Sequence, residues 1–435
     1  MIKKDRSRFH AYNIILAHES SGRQLKSVRN DYFSTNNLSS SERSRSMALS
    51  NEVVRWKRTL DNWIARSLKK PIKKLPLKVL CILRLGYYEY VMDSFVPAHA
   101  AVDSWVELSK KLKNKKISGL VNAILRKASS INKHSLNNRG NIGFQFSFQD
   151  WMVESWIEKY GRSKAIELCT YLNHTHEVDL RVNKLNPDIK NILNEKNIKW
   201  DFSPFSKNFI RIKSGLRKIL SSKIYSKGAI FVQDRAAGAV VEILDPLPGE
   251  VVLDVCAAPG TKSIYIHEKM KGEGHLFSFD VNQTKVDNAL RQTKQMGLNI
   301  NWGKSDATID KYPKADKILI DAPCSGTGVI ARKPDIKWRR NIEDINKFAL
   351  LQNKMINNVS KFLKKGGFIV YATCSLQEQE NWNVVKSFLK FNPNFKLESV
   401  ENKIPQQWLN SENCLETFPP RDNVDGMFAA KIRKC

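Results

Sequence analysis

The sequence contains no CxxC pair, and its seven cysteines, an odd number, are scattered over 435 residues. This excludes a disulfide framework and a zinc ribbon, and it suits a reducing compartment, so a cytoplasmic protein is expected. Long apolar runs are also missing, so neither a transmembrane helix nor a membrane partner is expected. The first residues, MIKKDRSRFHAYNIILAHES, start basic but carry no long apolar core and no small-residue cleavage site, and so read as mature sequence. GxGxxG is absent, and CAAPGTKS lacks the early glycine of a phosphate-binding GxxxxGK[ST] loop, which leaves phosphate cradling poorly supported. The cluster CTYLNHTH (Cys169, His174, His176) lacks a fourth ligand at usual spacing, so no metal is expected. There is no internal repeat and no long low-complexity tract.

Acidic residues are in deficit, 43 against 72 Lys and Arg, for a formal charge of +29. Such an excess favours a polyanionic partner, with nucleic acid leading. The competing explanation is compositional, because the chain is also rich in Asn and Ile, as an AT-rich genome would make it. The hydrophobic content of 42% is that of a globular protein, and the length suits two or three domains.

Glycine and proline are rare before about residue 130, and the spacing there predicts helices. NEVVRWKRTLDNWIARSLKK, LKVLCILRLGYYEYVM, PAHAAVDSWVELSKKL and ISGLVNAILRKASS all place apolar residues three and four apart, with Trp63 and Trp105 expected in a core. INKHSLNNRGNIGFQ reads as a linker. WMVESWIEKYGRSKAIELCTYLN reads as helical, while VDLRVNKL and FIRIKSG alternate like strands. From about Ala236 strands alternate with helices, from EVVLDVCAA through a long helix ended by glycine at EDINKFALLQNKMINNVSKFLKKGG to a last strand at GMFAAKIRK. This predicts a mostly parallel, doubly wound sheet. The expected architecture is multidomain: an all-α domain over 1–135, a small α+β domain over 145–235, and an α/β Rossmann-like domain over 236–435.

In such a sheet ligands bind beyond the carboxyl ends of the strands. Asp254, Asp280, Asp306 and Asp321 all lie at strand ends, although aspartate is a poor strand former. Acidic strand ends suit a cofactor with ribose hydroxyls and a positive centre and without phosphates, a profile that S-adenosyl-L-methionine has. Asp280 follows Gly260 by twenty positions, the place of the ribose-binding acid in dinucleotide folds. Gly260 lets the backbone pass close to a ligand, and the helix start after Pro259 can receive a carboxylate.

Most single cysteines are small buried apolar residues, and Cys81 and Cys169 read that way. Cys256 lies in the cofactor loop, where it can simply pack. Cys324 (DAPCSGTG) and Cys374 (YATCSLQEQEN) differ in that each follows a strand at the acidic edge, between small residues that leave room for a ring. Thiolate next to a methyl donor points to pyrimidine chemistry. Carbon 5 of the ring is too weak a nucleophile to take a methyl group unaided. Thiolate addition at carbon 6 makes an enamine that can, an acid near ring nitrogen 3 assists, and a base then removes the carbon 5 proton so that the thiol is eliminated. On placement alone either cysteine could be the attacker.

LDVCAAPGTKS, DAPCSGTGVIARKPDIKW and YATCSLQEQEN together resemble the RNA cytosine-5 methyltransferases with two active-site cysteines, most closely the bacterial RsmB (Sun, Fmu) type acting on 16S ribosomal RNA. RSRFHAYNIIL, LRLGYYEYVMDSFVPAHAAVDSWVELSKK and GLVNAILRK resemble the NusB-like RNA-binding domain of that type. DLRVNKL and GAIFVQDRAAGAVVEILDPLPGE resemble its middle segment, and NVDGMFAAKI its last strand. The resemblance implies that Cys374 is the nucleophile and that Cys324 serves product release. It also implies that Cys256, Ala257, Ala258, Pro259, Gly260, Thr261, Lys262, Asp280, Asp306 and Asp321 contact S-adenosyl-L-methionine, with Asp321 facing the cytosine as well. Thr261 stands where the family usually has a second glycine. The implied partner is 16S ribosomal RNA, and a monomer is expected. A non-enzymatic RNA-binding factor, and the same chemistry on tRNA or another RNA, are the alternatives. ARKPDIKWRR is basic with an aromatic, a mix that suits RNA contact as well as a solvated loop.

Overall fold

A computed structural model describes residues 6–93, 96–111, 115–131, 141–183, 189–203, 206, 208–222, 225 and 228–435. Two compact units are present, Met1–His174 with Ile330–Arg339, and Thr175–Val329 with Arg340–Cys435. The span 145–235, expected as one small α+β domain, is divided at His174, with the helices Asp150–Tyr160 and Arg162–Leu172 in the first unit and the later helices and strands in the second.

The first unit is helical over Ser7–Ser21, Leu25–Thr35, Ser40–Arg55, Lys57–Ser67, Leu77–Tyr87, Ala98–Lys110 and Lys115–Arg126. The three- and four-residue spacing buries Val79, Ile82, Leu83, Leu85, Trp63 and Trp105 in one core. Ser39 and Glu42 cap Ser40–Arg55 reciprocally, which satisfies two backbone donors that the first turn leaves over. Glu89 is buried beside this core, where Arg8 and Arg45 neutralise it at 2.6 Å and Trp105 Nε1 donates at 2.8 Å. The expected linker falls largely on 132–140, outside the described residues. The helical stretch after it is two helices, Asp150–Tyr160 and Arg162–Leu172, because Gly161 between them takes φ 82°, which ends a helix.

The second unit contains two sheets. β1 (Val178–Val182), β2 (Lys199–Phe202), β3 (Phe209–Ser214) and β4 (Ile230–Val232) form an antiparallel sheet in the order β2-β3-β1-β4. Alternation in the sequence located β1 and β3. The Lys184 and Leu185 of VDLRVNKL lie outside the described residues.

The larger sheet holds β5 (Val251–Asp254), β6 (His275–Asp280), β7 (Asn301–Lys304), β8 (Ala315–Asp321), β9 (Leu363–Thr373), β10 (Phe395–Glu398), β11 (Leu415–Glu416) and β12 (Phe428–Lys434). Its order is β10-β12-β9-β8-β5-β6-β7, with β11 beside β12. The strands from β9 to β7 are parallel, and β12 is antiparallel to β9, β10 and β11. The sheet is thus mixed. Its buried runs, such as Ile318–Ile320 and Ile369–Ala372, are covered on both faces. One expected boundary moves. The helix Ile342–Val359, capped by Asn341 and Asp344, closes in a short 3-10 turn at Ser360–Phe362, so Gly366 and Gly367 lie inside β9 instead of ending the helix. They follow the point where the β8–β9 pairing slips between Ala315 and Lys317, and glycine is suited to such an irregularity. Among the described residues no helix is long and apolar enough to cross a membrane.

Candidate active site

β5, β6 and β8 end on Asp254, Asp280 and Asp321, and Asp306 lies just beyond β7, so all four acids stand at the carboxyl edge. The loop after β5 is stitched to neighbouring strands by Val255 N to Leu319 O at 3.1 Å and Ala257 N to Phe279 O at 2.8 Å. Its turn closes with Gly260 N to Ala257 O at 2.8 Å, after a cis Ala258–Pro259 bond. Gly260 takes φ 104°, a left-handed conformation that favours glycine, and a Cβ there would stand a tight 3.1 Å from the Trp302 ring. The helix Thr261–Lys269 starts immediately after it. Thr261 opens this helix, so the loop turns on Gly260 alone.

The acids have different surroundings. Asp254 is wholly buried, which pushes its carboxyl up to about 7 against the opposing hydrogen bond from Ser263 Oγ at 2.7 Å. Its Oδ1 has no hydrogen-bond partner. Asp280 accepts from Asn282 N at 2.9 Å through one oxygen, and the other has no protein partner. Asp306 accepts from the hydroxyl and the amide of Thr308 at 2.7 and 2.9 Å, which holds its carboxyl below the usual range. Asp321 pairs with Lys262 Nζ at 2.7 Å. Burial lowers the Lys262 ammonium pKa, but Asp321 outweighs it, and the net shift is upward. Cys256 lies in the middle of this set. Burial, then Asp254, Asp321, Asp280 and Asp306, push its thiol well up, which suits an uncharged packing residue and not a nucleophile.

This donor set fits S-adenosyl-L-methionine. An open carboxylate oxygen on Asp280 can take ribose hydroxyls, and the converging acids favour a cationic sulfur centre.

Cys324 and Cys374 come together. β8 and β9 are neighbours, with Asp321 opposite Ala372, so the segments that follow run side by side. The two sulfurs lie 3.3 Å apart, and both residues are partly exposed. The hydrogen bond to Cys374 is the largest influence pushing the Cys324 thiol up, ahead of burial, and either sulfur can be its donor. Lys262 also feels the charge of Cys374, so the Lys262–Asp321 pair and the two thiols share one site.

Sequence reasoning did not single out the residues that hold these segments. Glu380, in the short 3-10 turn Glu378–Glu380, is fully buried and accepts from Ser325 N (2.7 Å), Ser325 Oγ (2.5 Å), Ser375 Oγ (2.6 Å) and Gln352 Nε2 (3.2 Å). Gln352 Nε2 also donates to Pro323 O at 2.9 Å. Asn381 bridges the residues on either side of Cys374, accepting from Thr373 Oγ1 at 2.5 Å and donating to Ser375 O at 2.8 Å. The available signal was the polar run QEQEN after the second cysteine, too acidic to be an ordinary buried turn.

The basic stretch 331–340 is partly buried and partly exposed. Its segment Ile330–Arg339 belongs to the first unit. Lys337 is fully buried and donates to Asn173 Oδ1 at 2.6 Å and to the carbonyls of Arg55 and Ser147 at 3.1 Å, over the Phe148 ring. Trp338 Nε1 donates to Val54 O at 2.6 Å, and Arg339 turns back to Asp335. Arg332 and Lys333 are exposed.

Among the described residues, no group of three or more histidine, cysteine or acidic side chains could hold a metal ion.

Comparison with known proteins gives two family matches, the 16S rRNA methyltransferase RsmB/F family over residues 241–433 and the NusB family over 5–130. The chain is 32% identical over 396 residues to a probable ribosomal RNA small subunit methyltransferase B of Synechocystis sp., covering 88% of this chain and 89% of the relative. It is 30% identical over 429 residues to the protein of the same description in Bacillus subtilis, covering 94% of each. Among solved structures, a methyltransferase homologue from Pyrococcus horikoshii superposes with a TM-score of 0.59 at 27% identity, over 68% of this chain and 98% of that one. PH0851 shares the fold along the full length of both chains, with a TM-score of 0.83 at 21% identity.

Proposed function

This chain belongs to the 16S rRNA methyltransferase RsmB/F family, and from that premise we propose that it moves a methyl group from S-adenosyl-L-methionine to carbon 5 of a cytosine in small-subunit ribosomal RNA. It is an RNA methyltransferase with a NusB-like helical domain at its N-terminus. The observation that carries the finer reading is the pair of thiols 3.3 Å apart beside the Lys262–Asp321 ion pair, at the acidic edge of the sheet. A second thiol at that distance serves a reaction in which the first becomes bonded to substrate and must be released.

Each residue then has a task. Cys374 adds to carbon 6 of the cytosine. The Lys262–Asp321 pair lies beside the ring and supplies a proton toward nitrogen 3, which relieves the charge that addition places there. Asp280, Asp306 and the loop Cys256–Lys262 hold S-adenosyl-L-methionine, which when bound supplies the electrophilic methyl group. Asp254 fastens that loop from beneath through Ser263. Once Cys374 is bonded to the ring, its charge no longer raises the Cys324 thiol, which gives its proton to solvent. The Cys324 thiolate then takes the carbon 5 proton as the bond from Cys374 to carbon 6 breaks and Cys374 leaves as thiolate. No step calls for a metal ion. On this reading the enzyme works as a cytoplasmic monomer, and its NusB-like domain holds ribosomal RNA.

Bisulfite sequencing of RNA from a strain lacking the protein tests this. One 5-methylcytosine of 16S ribosomal RNA is expected to vanish. Retention of every such site would overturn the reading, and a loss confined to tRNA would transfer the same chemistry to the other substrate.

A further inference from the structure

We propose that Glu380 is a positioning residue that sets the spacing of Cys324 and Cys374 by binding, through one carboxylate, the residue that follows each of them. Ser325 and Ser375 are those residues, and both hydroxyls donate to Glu380 Oε2 while standing 3.0 Å from one another. Glu380 Oε1 takes the Ser325 amide, so the backbone turn directly after Cys324 is fixed as well as its side chain. Gln352 adds a tie to Pro323 O, on the other side of Cys324. The main chain of Glu380 is itself anchored, because Tyr371 in β9 donates its hydroxyl to the backbone carbonyl of Glu380 at 2.6 Å.

Energetics argue that this arrangement serves geometry and not stability. No Lys, Arg or His among the described residues pairs with Glu380, so a fully buried carboxylate is held by neutral donors alone. Burial raises its pKa, and the hydrogen bonds from Ser325, Ser375 and Gln352 oppose that rise. An apolar side chain would fill the same space without desolvating a charge. What an apolar side chain lacks is the capacity to accept three bonds at once from two segments 50 residues apart in the chain, and a fourth from Gln352. The sulfurs project from those segments, so their 3.3 Å spacing is set by the carboxylate behind them. The consequence for catalysis rests on the reading above, in which one thiol attacks and the other releases.

The spacing can be measured without RNA or cofactor. Diamide takes two protons and two electrons from a pair of thiols, joining their sulfurs while it is itself reduced to the hydrazine. Its rate for Cys324 and Cys374, followed by mass spectrometry of the linked peptides, reports how often the two meet. Glu380→Ala is expected to slow this link on the order of tenfold or more at a temperature where the variant is folded. Glu380→Gln is expected to recover part of the rate, because its amide oxygen can still accept from Ser325 N and its amino group can donate to the two hydroxyls. A wild-type rate in Glu380→Ala, with only a lowered Tm, would overturn the proposal. If Glu380→Ala does not fold, Ser375→Ala is compared in the same way. A smaller slowing supports the proposal and an unchanged rate overturns it. With RNA present, Glu380→Ala is expected to lower kcat and raise the fraction trapped as covalent adduct while KM stays near wild type. Slowed cross-linking together with a wild-type enzyme that modifies no ribosomal RNA would leave the positioning role standing and remove the function proposed above.

Discussion

Cys324 Sγ lies 3.3 Å from Cys374 Sγ, within reach of a hydrogen bond that either thiol can donate. The roles proposed for the two thiols assign different fates to their alanine variants. Cys374→Ala is expected to lose methyl transfer by roughly 10⁴-fold or more, since it removes the thiol that adds to carbon 6. Cys324→Ala is expected to attack and then stall, giving a covalent protein–RNA complex that survives denaturation as a shifted gel band. Finding that band with Cys374→Ala instead would reverse the roles.

Asp254 supplies a pH prediction. Its folded pKa, raised by burial to about 7 from 3.8, means that the native state holds a proton that the unfolded chain releases. Unfolding stability therefore falls as pH rises between these two values, and the penalty is constant above the upper one. Asp254→Asn carries no such charge and keeps an acceptor for Ser263. Its stability relative to wild type is expected to climb through that window, reaching about 2–4 kcal/mol above neutrality. Urea unfolding at acidic and at alkaline pH measures the difference, and parallel behaviour of the two proteins would refute the assignment.

The sequence displayed its strand-end acids and its two cysteines because each follows an apolar run, and runs of that kind are legible without knowledge of which strands pair. It did not display the pairing itself. Asp321 meets Lys262, and Cys324 meets Cys374, only because β8 lies between β5 and β9, an order fixed by crossovers and not by local pattern. Glu380 was hidden for the same reason, since nothing near it in sequence marks Ser325 as its partner. Within 331–340 composition did not separate the buried Lys337, whose amino group is bound by main-chain carbonyls of other segments, from the exposed Arg332 and Lys333. The short strands β2 and β4, of four and three residues, are too brief for alternation to register.

Lys337 should matter to the first unit far more than a surface lysine would. Burial pulls its pKa well down, followed by the nearby Arg55, and its amino group is the donor to Asn173 Oδ1, Arg55 O and Ser147 O. Lys337→Met keeps the apolar stem over Phe148 and strands those acceptors. Stability is expected to fall by about 2–4 kcal/mol, read as a lowered Tm in thermal unfolding followed by circular dichroism. A shift of less than about 0.5 kcal/mol, the usual range for a surface site, would show that water takes over the carbonyls.

Gly328 tests how tightly the cysteine segments are packed against the last strand. Its amide donates to Cys374 O at 3.0 Å, and its own carbonyl accepts from Gly426 N at 3.0 Å, so one residue ties Cys374 to the turn that enters β12. A Cβ on Gly328 would stand 2.1 Å from Gly426 O, a backbone atom that cannot swing aside as a side chain could. Gly328→Ala must therefore push these segments apart and stretch both hydrogen bonds. The expected cost is about 2–4 kcal/mol of stability. Because the displaced carbonyl belongs to Cys374 itself, methyl transfer at a temperature where the variant is still folded should also fall, by about 10²-fold for a shift near 1 Å. A Gly328→Ala enzyme that is destabilised yet fully active when folded would place the strain in the β12 turn and not at the nucleophile.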